Sequence, residues 1–364
     1  MGGLIQFFQQ TPLAIPLFIV MFTAIIAVHE FGHYLTARLL GMRVLEFAFG
    51  FPPRAFAIRH GGIDYSVNWI PFGGFVRILG QDDFSIEQRG AGEEGSFTSK
   101  PWWAQAIVLA AGVFMNFVLA ITVLTVAFAI GTTAPTGKIR VEEVAPNSPA
   151  AVAGIQPGDI VKSIDKRPIT RTTDLVSYVT QHADKEVILV IERNGRDLDP
   201  ITAVPRKEPP EGEGPLGIRL SEVQAQVAMS PPQAFLQALT LTGDVVEQIA
   251  ELPGQLLTRA PGSPNPPPVG GPIQIFIVTA AVSQEGLATF LKLVGVISVN
   301  LAVLNIIPFP GLDGGRLFFV LAGALLRRRL SPQVEAAIHA VGFVLLLGLL
   351  LVVSVADIRR ATGG

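Results

Sequence analysis

The stretch Leu13-Ala-Ile-Pro-Leu-Phe-Ile-Val-Met-Phe-Thr-Ala-Ile-Ile-Ala-Val-His29-Glu30-Phe31-Gly32-His33-Tyr-Leu-Thr-Ala-Arg-Leu-Leu40 decides the fold. It is apolar over the length a helix needs to cross a hydrocarbon core, about 20 residues. Yet it carries two histidines and a glutamate. Histidines four apart share one helix face and can hold one zinc ion, and the glutamate beside them can accept a proton from water. Ionisable groups at membrane depth are costly and read as functional. Typical residue frequencies give this pattern by chance in roughly one chain of this length in a hundred. The first expectation is a metalloprotease whose site lies within a bilayer.

Composition agrees. Of 364 residues, 49% are hydrophobic and 15% charged, with a mean hydropathy of +0.49. That is too apolar for an ordinary soluble enzyme and calls for several spans plus a smaller soluble part. The net charge of -2 gives no ground for a nucleic-acid partner. There is no cysteine, so a metal must use His, Asp or Glu, and only His29, His33, His60, His182 and His339 exist. The segment from Met1 to Thr11 has no Lys or Arg, and no small-residue cleavage site ends the apolar run. The start therefore reads as a retained span rather than a cleaved signal peptide.

Three more stretches are long and apolar enough to span: Ala104 to Ile130, Leu287 to Ile307 and Ala336 to Ala356. Arg38, Arg43, Arg54, Arg59, Arg77, Arg89 and Lys100 fall between the first two, and Arg327, Arg328 and Arg329 between the last two. The positive-inside rule makes both links cytoplasmic and both termini extracytoplasmic; Arg359 and Arg360 disagree mildly. Trp102 and Trp103 suit an interface.

The expected divisions are 1–46, the first span with the metal motif; 47–100, a cytoplasmic-side β region; and 101–132, the second span. There follow 137–223, a soluble β-rich domain; 224–286, an amphipathic helix and Pro-rich linker; 287–326, the third span; and 327–364, a cytoplasmic link, the fourth span and a tail. In the β region, a turn at Gly61-Gly62 joins two strands, and Pro71-Phe72-Gly73-Gly74 breaks the second. In the soluble domain, 139–141 and 187–191 read as strands and Asn194-Gly195 as a hairpin turn. The helix expected over 232–252 puts Phe235, Leu239, Val246, Ile249 and Leu252 near helical spacing. It could lie on the membrane, clamp a substrate or pack on the soluble domain. Pro261 to Pro268 reads as an extended linker.

A catalytic zinc ordinarily has three protein ligands. Asp313, in Asn305-Ile-Ile-Pro308-Phe-Pro310-Gly-Leu-Asp313-Gly-Gly315, is the best third, because it too falls late in a span that enters from outside. His339 competes for that place, though a supporting or packing role suits it better. Asn116 is a polar residue inside the second span, open to a generic interhelical bond or a role near the site. Asn305 could contact substrate or cap a broken helix.

Together these motifs resemble the site-2 protease family of intramembrane zinc metalloproteases, nearest the bacterial RseP-like members with one PDZ domain. The likeness also includes Pro71-Phe-Gly-Gly74, Ala111-Gly112 and Gly270-Gly-Pro-Ile273. It implies zinc on His29, His33 and Asp313, with Glu30 as catalytic base. It implies substrate contacts from Asn305, Pro308 and Pro310, and a β element whose edge holds substrate as an added strand; Asn116 is a further candidate for contact with substrate. The fold implied is a polytopic α-helical membrane protein of four spans with a membrane-associated β region and an inserted extracytoplasmic PDZ domain. Val144 to Ala150 and Ala153 to Asp159 carry the PDZ likeness. Leu216-Gly217-Ile218 follows that core, as in a circularly permuted form, and could receive a peptide carboxylate; a lid that excludes large substrates is the alternative. The location implied is a bacterial inner membrane. Single-span membrane proteins already cut outside, such as anti-sigma factors and remnant signal peptides, are the substrates implied. A non-catalytic PDZ-bearing adaptor and a zinc transporter are the rivals; Glu30 argues against the first and the PDZ-like domain against the second.

Overall fold

The computed structural model describes residues 12–81, 93–210, 212–258, 270–327 and 331–362. The Pro-rich linker, Arg89, Arg328, Arg329 and the segment before Pro12 lie outside the described residues. In chain order the elements are α1 (Ala14–Leu39), β1 (Val44–His60), β2 (Ile63–Ile78), α2 (Trp102–Ile130), β3 (Thr132–Val144), α3 (Pro149–Val152), β4 (Ile160–Ile164), β5 (Arg167–Pro168) and α4 (Thr172–Gln181). There follow β6 (Val187–Arg193), β7 (Arg196–Asp197), β8 (Ile201–Ala203), β9 (Ile218–Val227), α5 (Pro231–Thr258), α6 (Pro272–Val282), α7 (Leu287–Ile306), α8 (Asp313–Leu326) and α9 (Pro332–Thr362). Two compact units result, one formed by 1–130 with 229–364 and the other by 131–228.

Within the first unit, α1, α2, α7 and α9 are long and apolar enough to cross a membrane. Helix α2 packs on both α1 and α7, whereas α9 packs on α6. Ala104, Val108, Gly112, Asn116, Ala120 and Leu124 recur every fourth residue and are buried along one face, where small side chains let neighbours approach. Gly32 of α1 shows how closely: a Cβ there would stand 2.5 Å from the Ala111 carbonyl oxygen.

Helix α5 packs on α2 and α7 through Ala234, Ala238, Leu241 and Val245. Of the face expected from spacing, Val246 and Ile249 join this packing, while Phe235 and Leu239 are exposed. The contact is thus with spanning helices. Small residues take the seam because the backbones lie close.

The β region is more folded than a hairpin. Arg54 to His60 runs back along Ile63 to Asn68 across the Gly61-Gly62 turn. Residues 46–49 stand beside 64–67, both advancing in the same direction, and on their other side beside 77–74 in the opposite direction. Pro71 to Gly74 therefore forms a corner that carries β2 from one side of β1 to the other. The outcome is four segments in the order 74–78, 44–49, 63–70, 54–60. Segment 74–78 follows α1. The Thr23 hydroxyl donates to the Pro71 carbonyl at 3.2 Å, and the Tyr34 and Tyr65 hydroxyls meet at 2.8 Å.

The second unit is a sheet of order β7-β6-β4-β3-β9, with β5 on β4 and β8 on β6. Alternation builds its core. Val187, Leu189 and Ile191 of β6 point inward with Ile139, Val161 and Leu175, whereas Ile188 is exposed. Ser148 caps α3, its Oγ accepting from the Ala151 amide at 3.1 Å. Asn194 and Gly195 both take positive φ, the geometry of the tight hairpin turn their sequence demands. Strand β9 is an edge.

Candidate active site

Helix α1 places His29 and His33 one turn apart on its buried face. His33 Nδ1 lies 2.7 Å from the Val108 carbonyl oxygen of α2. A carbonyl only accepts, so Nδ1 carries the proton and Nε2 keeps its lone pair. That Nε2 is 3.2 Å from His29 Nε2 and 3.2 Å from Asp313 Oδ2, and His29 Nε2 is 2.9 Å from the same oxygen. Three ligand-type atoms thus form a nearly equilateral triangle. Tetrahedral zinc with bonds of about 2.0–2.1 Å separates its ligands by about 3.3 Å, so the triangle fits.

Gly112 provides further support for that fit. A Cβ there would lie 2.4 Å from His33 Nε2 and 2.8 Å from His29 Nε2, so the space both nitrogens face is kept open by a missing side chain. Among the described residues, these three are the group able to converge on a metal.

Asp313 arrives through a broken helix. Helix α7 stops at Ile306, residues 307–312 turn, and α8 starts at Asp313. Gly314 and Gly315 permit the turn: a Cβ on Gly314 would sit 2.3 Å from the Ile307 carbonyl oxygen, and on Gly315 2.3 Å from that of Phe309. His339 of α9 is not in the triangle. Its Nδ1 accepts from the Gly311 amide at 2.9 Å, which fastens the loop two residues before Asp313.

Asn116 is fully buried, with its amide nitrogen 3.2 Å from His29 Nδ1. The side chain is enclosed and meets the imidazole. Its Oδ1 is buried with no partner among the described residues. Turning the amide over would set Oδ1 to accept from His29 Nδ1–H and leave His29 Nε2 free to bind metal.

Glu30 lies next along α1 and interacts electrostatically with His29, His33 and Asp313. Its side chain faces the β region: a Cβ on Gly74 would stand 3.5 Å from Glu30 Cγ, and the Val76 backbone lies within its reach. Pro308 is exposed, and Asn305 and Pro310 are half-buried. Leu216, Gly217 and Ile218 belong to the second unit. There the Gly217 amide donates to the Gly214 carbonyl, and the Ala150 amide to the Leu216 carbonyl.

Sequence reasoning passed over Gly342 and Asp357. Gly342 lets the Pro310 carbonyl approach α9. Asp357, fully buried, accepts from the Gln274 amide at 3.0 Å at the start of α6. Glycine and aspartate inside an apolar span were the available signals.

Two histidines and a carboxylate around an open vertex, with a glutamate beside them, define a zinc metallopeptidase site. The chain is similar to known proteins along most of its length. The sequence profile of peptidase family M50 matches residues 17–349. A Clostridium perfringens chain named as a candidate zinc metalloprotease is 35% identical over 93% of this chain and 96% of its own length. The zinc metalloprotease RasP of Oceanobacillus iheyensis is 29% identical over 94% and 98%. The regulator of sigma-W protease RasP of Bacillus subtilis is 27% identical over 94% and 97%. The chain belongs to peptidase family M50, the site-2 proteases, and is a membrane zinc metalloprotease.

Proposed function

We propose that this chain hydrolyses peptide bonds within the membrane segment of single-span proteins, with zinc held by His29, His33 and Asp313 and Glu30 as the base. The observation that carries this is the triangle of 2.9, 3.2 and 3.2 Å beside Glu30. Zinc supplies Lewis acidity there and makes water acidic enough to ionise near neutral pH. Glu30 accepts the proton from the attacking water and passes it to the leaving amine nitrogen. Val108 and Asn116 fix the two imidazoles so that both Nε2 atoms point at one spot.

A helical substrate must unwind first, since its carbonyls are engaged in the helix ladder. Segment 74–78 ends the four-segment sheet beside Glu30, which supports its role as the edge that receives an unwound strand. Pro308 and Pro310 leave backbone groups of the 307–312 turn outside any helix, and with Asn305 they would meet the substrate's other side.

The cationic residues of 38–100 and Arg327 support a cytoplasmic position for both links in a bacterial inner membrane, with the second unit and the termini extracytoplasmic. The second unit is read as a circularly permuted PDZ domain. Its support is that the 214–217 loop leads into edge strand β9, with α4 alongside. The Gly217 amide is already engaged within the loop, which favours exclusion of large outer domains over capture of a carboxylate. Substrates would then be proteins already shortened outside, anti-sigma factors among them, as the sigma-W name of the Bacillus relative fits.

In detergent, purified protein should cleave a tagged, outwardly trimmed single-span substrate. Glu30→Gln should keep its zinc and be slower by about 10²–10⁴-fold. Sustained turnover by that variant would remove Glu30 from the role of base.

A further inference from the structure

Glu46 is the one carboxylate among the described residues of the sheet that is closed off from solvent, with its side chain 4% exposed. It sits in the central segment 44–49. Its Oε1 accepts from Arg54 Nη2 and from Ser66 Oγ, the latter at 2.7 Å, while Oε2 pairs with Arg77 Nη1 at 3.2 Å. Arg54 belongs to segment 54–60, Ser66 to 63–70 and Arg77 to 74–78. One carboxylate therefore ties all four segments together. A buried charge is costly unless its partners are complete, and removing one partner of such a set is strongly destabilising locally. Here the set reaches every segment of the sheet, including 74–78, which runs from the corner at Pro71 past Glu30.

We infer that Glu46 is a positioning residue for peptide cleavage: by clamping Arg77 it fixes segment 74–78 against Glu30 and so sets which substrate bond meets the metal site. Among the described residues, the hydrogen bonds and ion pairs of Glu46 run to Arg54, Ser66 and Arg77. Glu46 acts through Arg77 and the Gly74-to-Val76 backbone, which faces the Glu30 side chain at Gly74 and Val76. Tyr34–Tyr65 and Thr23–Pro71 hold the sheet to α1 at two points flanking Glu30, so play inside the sheet is felt between them. A general fold-stabilising role would lower the amount of active enzyme. A positioning role alters where the active enzyme cuts.

The inference rests on the proposed strand addition, and its test reads the clamp separately from cleavage. Full-length wild type, Glu46→Gln and the milder Ser66→Ala would be compared. Hydrogen exchange would be followed at residues 74–78 and across α1, with zinc content, cleavage rate and product masses on one single-span substrate. The expected result for Glu46→Gln is faster exchange at 74–78 with α1 protection and zinc unchanged. Cleavage should fall by about tenfold or more, with cuts spread to neighbouring bonds. Ser66→Ala should shift the same readouts less. Unchanged exchange at 74–78 in both variants would overturn the clamp. Faster exchange with rate and cut bond intact would overturn its link to positioning. If Glu46→Gln loses zinc and α1 protection together, Ser66→Ala decides between these outcomes. A wild type that cuts nothing would refute the proposed function, while exchange still reports on the clamp.

Discussion

At Gly112 the absent side chain is the functional feature, because a methyl group would enter the space shared by His29 and His33. Gly112→Ala is expected to weaken zinc binding by about tenfold or more and to abolish cleavage, as read by metal content after dialysis. Full zinc retention would mean that α2 can retreat from α1, which the Gly32 contact with Ala111 opposes. Asn116 acts on the same imidazole from its far side. Asn116→Ala should lower zinc affinity by about 10–100-fold, and Asn116→Asp, which restores an acceptor for Nδ1–H, should recover much of it. The chemistry at this scale is readable from His29-Glu30-x-x-His33, since i and i+4 share a face. The Val108 carbonyl is not readable, because any residue type could have supplied it.

Among the elements, α9 grips the loop that delivers Asp313. His339 accepts the Gly311 amide, and Gly342 makes room for the Pro310 carbonyl. His339→Ala removes the acceptor of the Gly311 N–H, a part-buried hydrogen bond worth about 1 kcal/mol. Zinc should be held less tightly and cleavage slowed, while Phe319→Leu, which changes ring contacts with His339 and Phe318 but keeps the hydrogen bond to Gly311, should do far less. Equal zinc affinity in His339→Ala would mean that the loop is set by Gly314 and Gly315 alone. Four apolar helices are legible from length and hydropathy, and so is the break after Ile306 from Pro308 and Gly311. Helix α6 is not: its 11 residues fall short of a span, and Pro272 reads as punctuation when it is the first residue of a helix. The corner at Pro71 to Gly74 reads as a strand end because period-two patterning shows local direction and is blind to which edge a strand returns to.

For the molecule as a whole, the two units answer to different variables. In the second, burial pushes the Asp159 carboxyl up, but hydrogen bonds from Arg193 and the Gln156 amide outweigh it and hold the group below the usual carboxylate range. A depressed pKa in the folded state means that this stabilisation is complete above about pH 4 and is lost as pH falls through the folded value. Asp159→Asn should cost about 2 kcal/mol at pH 7 and little at the acid end. Exchange protection of 160–164 and 187–193 would show this; equal destabilisation at both ends would place the effect in packing instead. The proposed zinc ligands all belong to the first unit, and a ligand that binds only the folded state raises its stability. Chelation should lower its melting temperature, and zinc should restore it. The sequence makes the second unit legible as a change of periodicity near 137 and again near 223, inside the observed bounds of 131 and 228. Long-range closure is read through a single signal. His29 and Asp313 are 284 residues apart, and only span direction brings them to one depth.

The most direct test of a zinc site made from His29, His33 and Asp313 is metal content measured beside cleavage for wild type, Glu30→Gln, Asp313→Ala and His339→Ala. The expected result is one zinc per chain in wild type and Glu30→Gln, cleavage by wild type alone among those two, and loss of zinc in Asp313→Ala beyond that in His339→Ala. Full zinc in Asp313→Ala, with loss in His339→Ala, would contradict the account and move the third ligand to α9.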